Sequence, residues 1–210
     1  MSFSSLKWPA WARPAAYVLV PLLLYATGLH TEVIGGAQRL LLATGLFRPE
    51  LTPVAATPAT TAAHLKPTST ADYSLALLTL QGQPTTLAAL RGKVIFLNLW
   101  ATWCPPCVAE MPGIQRLAEQ LHDAPNVAFV VLSLDQNPDK ARRFVARRGF
   151  TMPIYTLNGS LPAAFDTESI PTTFLISPAG EIVSRHEGMA DYDRPEVAQL
   201  LRRLQTATVK

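Results

Sequence analysis

At 210 residues the chain has room for one domain of ordinary size and an appendage, and its composition divides in that way near residue 70. A formal charge of +3, with basic residues scattered among acidic ones, excludes the concentrated basic footprint of a nucleic-acid binder, so nucleic acid is not an expected partner. Two cysteines, and four histidines without paired spacing (His30, His64, His122 and His186), fall short of the roughly four grouped ligands of a structural zinc site, so no metal is expected.

The run Pro14 to Leu29 carries no charge and comes after Lys7 and Arg13. Its sixteen residues would reach roughly 24 Å as a helix, short of a hydrocarbon core of about 30 Å and ample for a signal-peptide core. Trp8, Trp11 and Tyr17 could lengthen the span at the interface, whereas Ala26-Thr27-Gly28 or Gly35-Gly36-Ala37 could serve a peptidase. The favoured reading is an uncleaved anchor in a bacterial inner membrane, with a cleaved signal and a periplasmic product as the alternative. Either way the positive-inside rule keeps Lys7 and Arg13 cytoplasmic and sends the chain beyond residue 30 outside, so both cysteines face an oxidising compartment. No cysteine comes directly after the apolar run, which excludes a lipoprotein. Residues 37–47, containing Arg39, read as a short interfacial helix, with a second span as the alternative. Residues 1–47 therefore form the anchor or signal region. Residues 48–70, rich in Pro, Thr and Ala, form a semi-extended linker.

Residues 71–210 carry the periodicities of an α/β domain. Tyr73 to Leu80 and Gln83 to Leu87 bracket Gly82 as a small hairpin. The runs Val94 to Leu99 and Val127 to Leu134 are nearly unbroken apolar segments, as expected of central parallel strands buried on both faces. Ile114, Leu117, Ala118 and Leu121 between them have helical spacing, which completes a right-handed βαβ unit. A second helix runs from Pro138 to Arg148, with Asn137 as N-cap and Gly149 as its stop. Its Lys140, Arg142, Arg143, Arg147 and Arg148 read as a solvated basic face, with partner docking as the alternative. A short strand at Ile154 to Leu157 precedes a hairpin of Thr172 to Ile176 and Glu181 to Arg185 around Ser177-Pro178-Ala179-Gly180. Pro195, Val197, Leu200, Leu201 and Leu204 mark a terminal amphipathic helix.

The two cysteines are Cys104 and Cys107, in Trp100-Ala101-Thr102-Trp103-Cys104-Pro105-Pro106-Cys107. A structural staple closing so short a loop would remove little entropy from the unfolded chain, so redox chemistry is the favoured use. Cys104 falls where the first central strand ends and a helix begins. Unpaired N–H groups and the helix dipole favour a thiolate there, which makes Cys104 the expected nucleophile. Pro105 and Pro106 suit the first turn, and Cys107, one turn on, is placed to resolve a mixed disulfide.

Across roughly residues 70–208 the chain resembles the thioredoxin superfamily, and more closely its exported TlpA-like and ResA-like branch. The resemblance is carried by Gly92 to Cys107, by Ile170-Pro171-Thr172-Thr173-Phe174, and by Pro112 within the active-site helix. It implies a thioredoxin fold: a mixed central sheet flanked by helices, with a small N-terminal hairpin. It also makes Pro171 a cis-proline set against the active-site disulfide, where the backbone at Ile170 receives a substrate strand. Pro112 is expected to kink its helix. Cytoplasmic thioredoxins carry an aspartate where this chain has Asn98, which cannot relay a proton. ResA-like members have a glutamate three residues after the second cysteine, and Glu110 occupies that place as the expected proton-handling group; a surface glutamate is the alternative. Trp103 is expected to frame the exposed sulfur or else to pack, and Thr102 suggests no role.

The function so implied is a thiol-disulfide oxidoreductase that reduces disulfides in exported proteins, such as cytochrome c or copper-site assembly clients. It needs no cofactor beyond its redox-active disulfide. Its implied partners are the exported clients, a membrane electron donor of the DsbD or CcdA type, and the membrane itself. A DsbA-like oxidant is disfavoured because Asp135 and Pro171 stand only 36 positions apart, too few for a large helical insert. A peroxiredoxin is disfavoured by Ala101, and a copper chaperone by the two-residue cysteine spacing.

Overall fold

The computed structural model describes residues 69–206, together with Leu19 and Leu22 as isolated positions. The anchor or signal segment, the 37–47 patch and all but the last two residues of the linker lie outside the described residues. Among those described, no helix is long and apolar enough to cross a membrane.

The chain runs β1 (Ser69–Thr70), β2 (Ala76–Thr79), β3 (Pro84–Thr86), β4 (Val94–Trp100), α1 (Pro105–Gln120), β5 (Val127–Ser133), α2 (Pro138–Arg148), β6 (Ile154–Leu157), β7 (Thr172–Ile176), β8 (Glu181–Glu187) and α3 (Pro195–Thr206). The eight strands form one sheet in the order β1-β8-β7-β4-β5-β6-β2-β3. β4 pairs parallel with β5, and β5 with β6, while β7 lies antiparallel to β4 and the outer strands are antiparallel too. The sheet is thus mixed and thioredoxin-like, with the apolar strands β4 and β5 in its middle, where both faces need covering.

Strand alternation divides β4 between two cores. Val94, Phe96 and Trp100 join the cluster that contains the buried residues of all three α-helices, such as Ile114, Phe144 and Leu201. Ile95, Leu97 and Leu99 face the opposite cluster, whose cover comes from Leu75, Leu87 and Phe165 rather than from an α-helix. Leu87 and Phe165 sit on the 3-10 turns Leu87–Leu90 and Ala163–Phe165. The expected sheet flanked by helices is thus present in an uneven form: among the described residues the α-helices occupy one face only. Short turns suffice on the other because Ala71, Tyr73 and Leu75, ahead of β2, are buried there as well. The same alternation sends Asn98 to the helix-covered face, which matters for the site.

Local signals are obeyed at both ends of α2. The Asn137 side chain accepts the Asp139 N–H at 2.9 Å, and Gly149 closes the helix with φ of 67°. One composition-based boundary moves: Ser69 and Thr70, on the linker side by composition, pair with Ile182 and Glu181 as the edge strand β1. Backbone pairing to β8 decides this, and composition cannot register it.

Candidate active site

β4 stops at Trp100, and the chain turns into α1 through a tight bend in which the Cys104 N–H donates to the Ala101 carbonyl at 3.2 Å. Cys104 is the N-cap of α1, in extended conformation, with Pro105 and Pro106 opening the helix. The Cys107 N–H donates to Cys104 Sγ at 3.3 Å, and the two sulfurs form a disulfide with Cα atoms 5.3 Å apart. With prolines at the first two helical positions, the Cys107 N–H is the one first-turn donor left to this sulfur, and together with the positive end of the helix dipole it favours a thiolate once the bond is reduced. Cys104 keeps 4% of its surface exposed and Cys107 none, so only the first can be approached from outside.

The Ile170–Pro171 peptide is cis. It brings the Ile170 carbonyl oxygen to 3.7 Å from Cys104 Sγ, across 66 residues of sequence. The Gly188 N–H holds the Pro171 carbonyl at 2.8 Å, tying the bend to the end of β8. Trp103 stands beside the disulfide with 59% of its surface exposed, the most exposed large apolar side chain of the domain. Cys104, Trp103 and Ile170 therefore share one surface, while Pro171 and Cys107 are buried behind it.

Glu110 projects from α1 into the interior and is 1% exposed, so it is not a surface glutamate. Its Oε1 accepts the Asn98 amide at 2.8 Å and its Oε2 accepts the Ala190 N–H at 3.2 Å. The same Asn98 nitrogen donates to Thr173 Oγ1 at 3.0 Å, and the Tyr192 hydroxyl donates to that oxygen at 2.7 Å. Burial pushes the Glu110 carboxyl up to about 8, and the two hydrogen bonds oppose that rise without cancelling it. Burial, reinforced by the neighbouring Glu110 charge, raises the Tyr192 phenol well above its ordinary value. Pro112 lies inside α1 and leaves the Val108 carbonyl without its helical N–H donor.

Sequence reasoning missed four contributors: Thr173, Ala190, Tyr192 and the acceptor of the active-site bend, Asp135. The Asp135 carboxylate receives the Thr102 N–H at 3.0 Å and the Thr102 hydroxyl at 2.7 Å. The available signal was its position, an acidic residue immediately after the buried run of β5, at the same sheet end as the cysteines. Asn98, which as an amide cannot carry a proton, is the donor that holds Glu110. Among the described residues no group of three or more His, Cys, Asp or Glu side chains could hold a metal ion.

Residues 55–201 match the sequence profile of the family described as Redoxin. The thiol-disulfide oxidoreductase ResA of Halalkalibacterium halodurans is 36% identical over 110 residues, 52% of this chain and 62% of that protein. The thioredoxin-like protein YneN of Bacillus subtilis is 34% identical over 118 residues, 56% of this chain and 68% of that protein. The chain thus spans less than two thirds of the ResA relative's length. Among solved structures, a thiol:disulfide interchange protein of the thioredoxin family from Chlorobium tepidum TLS superposes with a TM-score of 0.54 at 27% identity, covering 63% of this chain and 97% of the other.

Proposed function

Since this chain belongs to the Redoxin family, as a ResA-like member of the thioredoxin superfamily, we propose that it is a thiol-disulfide oxidoreductase whose reduced form donates two electrons to disulfides in exported proteins. One observation carries this reading: a disulfide at a helix N-terminus whose outer sulfur lies 3.7 Å from the backbone of a cis-proline bend. A client strand paired there presents its own disulfide to Cys104.

In the forward direction the Cys104 thiolate attacks one client sulfur, forming a mixed disulfide and releasing the other client sulfur as thiolate. Cys107 then loses its proton and attacks Cys104 Sγ. The client bond breaks, the second client sulfur leaves, and the Cys104–Cys107 disulfide forms with two electrons transferred. Glu110, three residues along the helix from Cys107 and buried like it, accepts the Cys107 proton. Glu110 takes that proton as the ionised carboxylate; in the disulfide form burial pushes its carboxyl up to about 8, so the proton stays at neutral pH and must be released before Glu110 accepts another. Trp103 and Ile170 contact the client beside the sulfur, and the disulfide is the sole redox group. Regeneration requires a membrane electron donor of the DsbD or CcdA type, and the clients are cytochrome c or copper-site assembly proteins outside the cytoplasm.

Replacing Cys107 with Ser leaves Cys104 without a resolving thiol, so this variant accumulates mixed disulfides whose partners identify client and donor. If Cys104→Ser accumulates them instead, the two roles are reversed. Direction is read from the potential of the couple: a value near about −270 mV or below fits a reductant, and one near about −120 mV overturns it.

A further inference from the structure

β4 and β5 run in register as far as Trp100 and Ser133, and the Leu134 N–H adds a last backbone rung to the Trp100 carbonyl at 2.8 Å. Beyond it the strands part, because β4 must bend into α1. The next rung is made by a side chain. Asp135 Oδ2 receives the Thr102 N–H at 3.0 Å and Oδ1 receives the Thr102 hydroxyl at 2.7 Å. Behind them the Ser133 hydroxyl donates to Oδ2 at 2.8 Å and accepts the Asp135 N–H at 3.1 Å. Asp135 is 8% exposed, so its position is fixed by these partners rather than by solvent. Thr102 and Trp103 are the two central residues of the bend closed by Cys104 N–H and Ala101 carbonyl. Pinning Thr102 from one side fixes the plane of that bend, and the plane sets both the outward turn of Trp103 and the direction of Cys104 Sγ toward Ile170.

We propose that Asp135 is a positioning residue for Cys104, acting through its paired hydrogen bonds to Thr102 to hold the nucleophile in the geometry a docked protein strand requires. This rests on the oxidoreductase reading given above. A carboxylate suits the task because it accepts both Thr102 donors in one plane, and charge-assisted bonds of this kind are roughly twice as strong as neutral ones. A protein client docks at two points, the Ile170 backbone and the sulfur, so it feels a misdirected sulfur; a small disulfide meets the sulfur alone and does not.

The test compares the reduced full-length chain with Asp135→Asn, Thr102→Val and Thr102→Ser, using insulin as protein disulfide and glutathione disulfide as small one. Asp135→Asn and Thr102→Val are expected to lower kcat/KM for insulin on the order of tenfold while changing the glutathione disulfide rate by less than about twofold. Thr102→Ser, which retains both donors, stays at wild type, and Thr102→Val in the Asp135→Asn background adds nothing further. Equal losses with both disulfides, accompanied by a lower Tm, assign the bonds to the scaffold and overturn the proposal. An active wild type matched by Thr102→Val and Asp135→Asn also overturns it and leaves the oxidoreductase reading intact. A wild type that reduces neither disulfide overturns the oxidoreductase reading itself.

Discussion

Glu110 is the residue whose chemistry depends most on its surroundings. Its spacing from Cys107 is visible in the chain, but the shift of its carboxyl comes from burial beneath the loop that carries Ala190. An ordinary glutamate titrates near 4.5, and in the folded chain Glu110 is pushed up to about 8. Between those values the folded state keeps a proton that the unfolded chain has released. The associated stability is complete below the unfolded value and is lost as pH rises toward about 8, at most about 1.4 kcal/mol per pH unit. Glu110→Gln cannot titrate and is expected to flatten this dependence. Denaturant midpoints of the disulfide form, measured from about pH 5 to about pH 8, check it: the wild type declines more steeply than the variant. The same substitution is expected to slow resolution of the mixed disulfide, because Cys107 loses its internal proton acceptor. Asn98 illustrates the limit of residue-level reading. An amide in place of an acid says that no proton is relayed from the strand, yet its role as donor to Glu110 and Thr173 emerges only when residues 98, 110 and 173 share one face of the sheet.

At the level of elements, most of what the chain shows locally is realised. The Ser177-Pro178-Ala179-Gly180 turn joins β7 to β8, and Gly149 ends α2, each with glycine at positive φ (87° and 67°). The two glycines are not equivalent. A Cβ on Gly149 would meet no atom within 4 Å, so Gly149→Ala is expected to cost only the conformational penalty, about 1 kcal/mol. A Cβ on Gly180 would lie 2.9 Å from Tyr73 Cε2 and 3.2 Å from its hydroxyl oxygen, on a ring already covered by the Arg91 guanidinium at 3.9 Å. Gly180→Ala therefore destabilises more than Gly149→Ala, and urea midpoints of the two variants against wild type measure the order. Both glycines are legible from turn chemistry. The packing of Tyr73 against Gly180 is not, because it joins the segment before β2 to a hairpin about a hundred residues later.

For the whole molecule, the proposed function places the described domain outside the cytoplasm, at the end of a linker downstream of the apolar run Pro14 to Leu29. Alkaline phosphatase fused after Thr70 is expected to be active in bacterial cells, since that enzyme matures only in an oxidising compartment. The full chain is expected to stay with the membrane after carbonate washing. An inactive fusion overturns the topology, and release by carbonate replaces the anchor with a cleaved signal.

The sequence by itself determined the closely spaced cysteines, the helix start at Cys104, the central strands and the uncharged apolar run Pro14 to Leu29, because each is a pattern of period, spacing or turn chemistry within a few residues. The tertiary structure alone decided what surrounds that pair. It put Ala190 on Glu110 across 80 residues and Asp135 on Thr102 across 33, and it gave the distance at which Ile170, expected there from the family resemblance, meets Cys104 across 66. It also placed α1, α2 and α3 of the described residues on one face of the sheet and drew Ser69 and Thr70 out of the linker into β1. The physical reason is common to these cases. Hydrogen-bond satisfaction and desolvation depend on which groups the folded chain brings together, and neither is encoded in the local order of residue types.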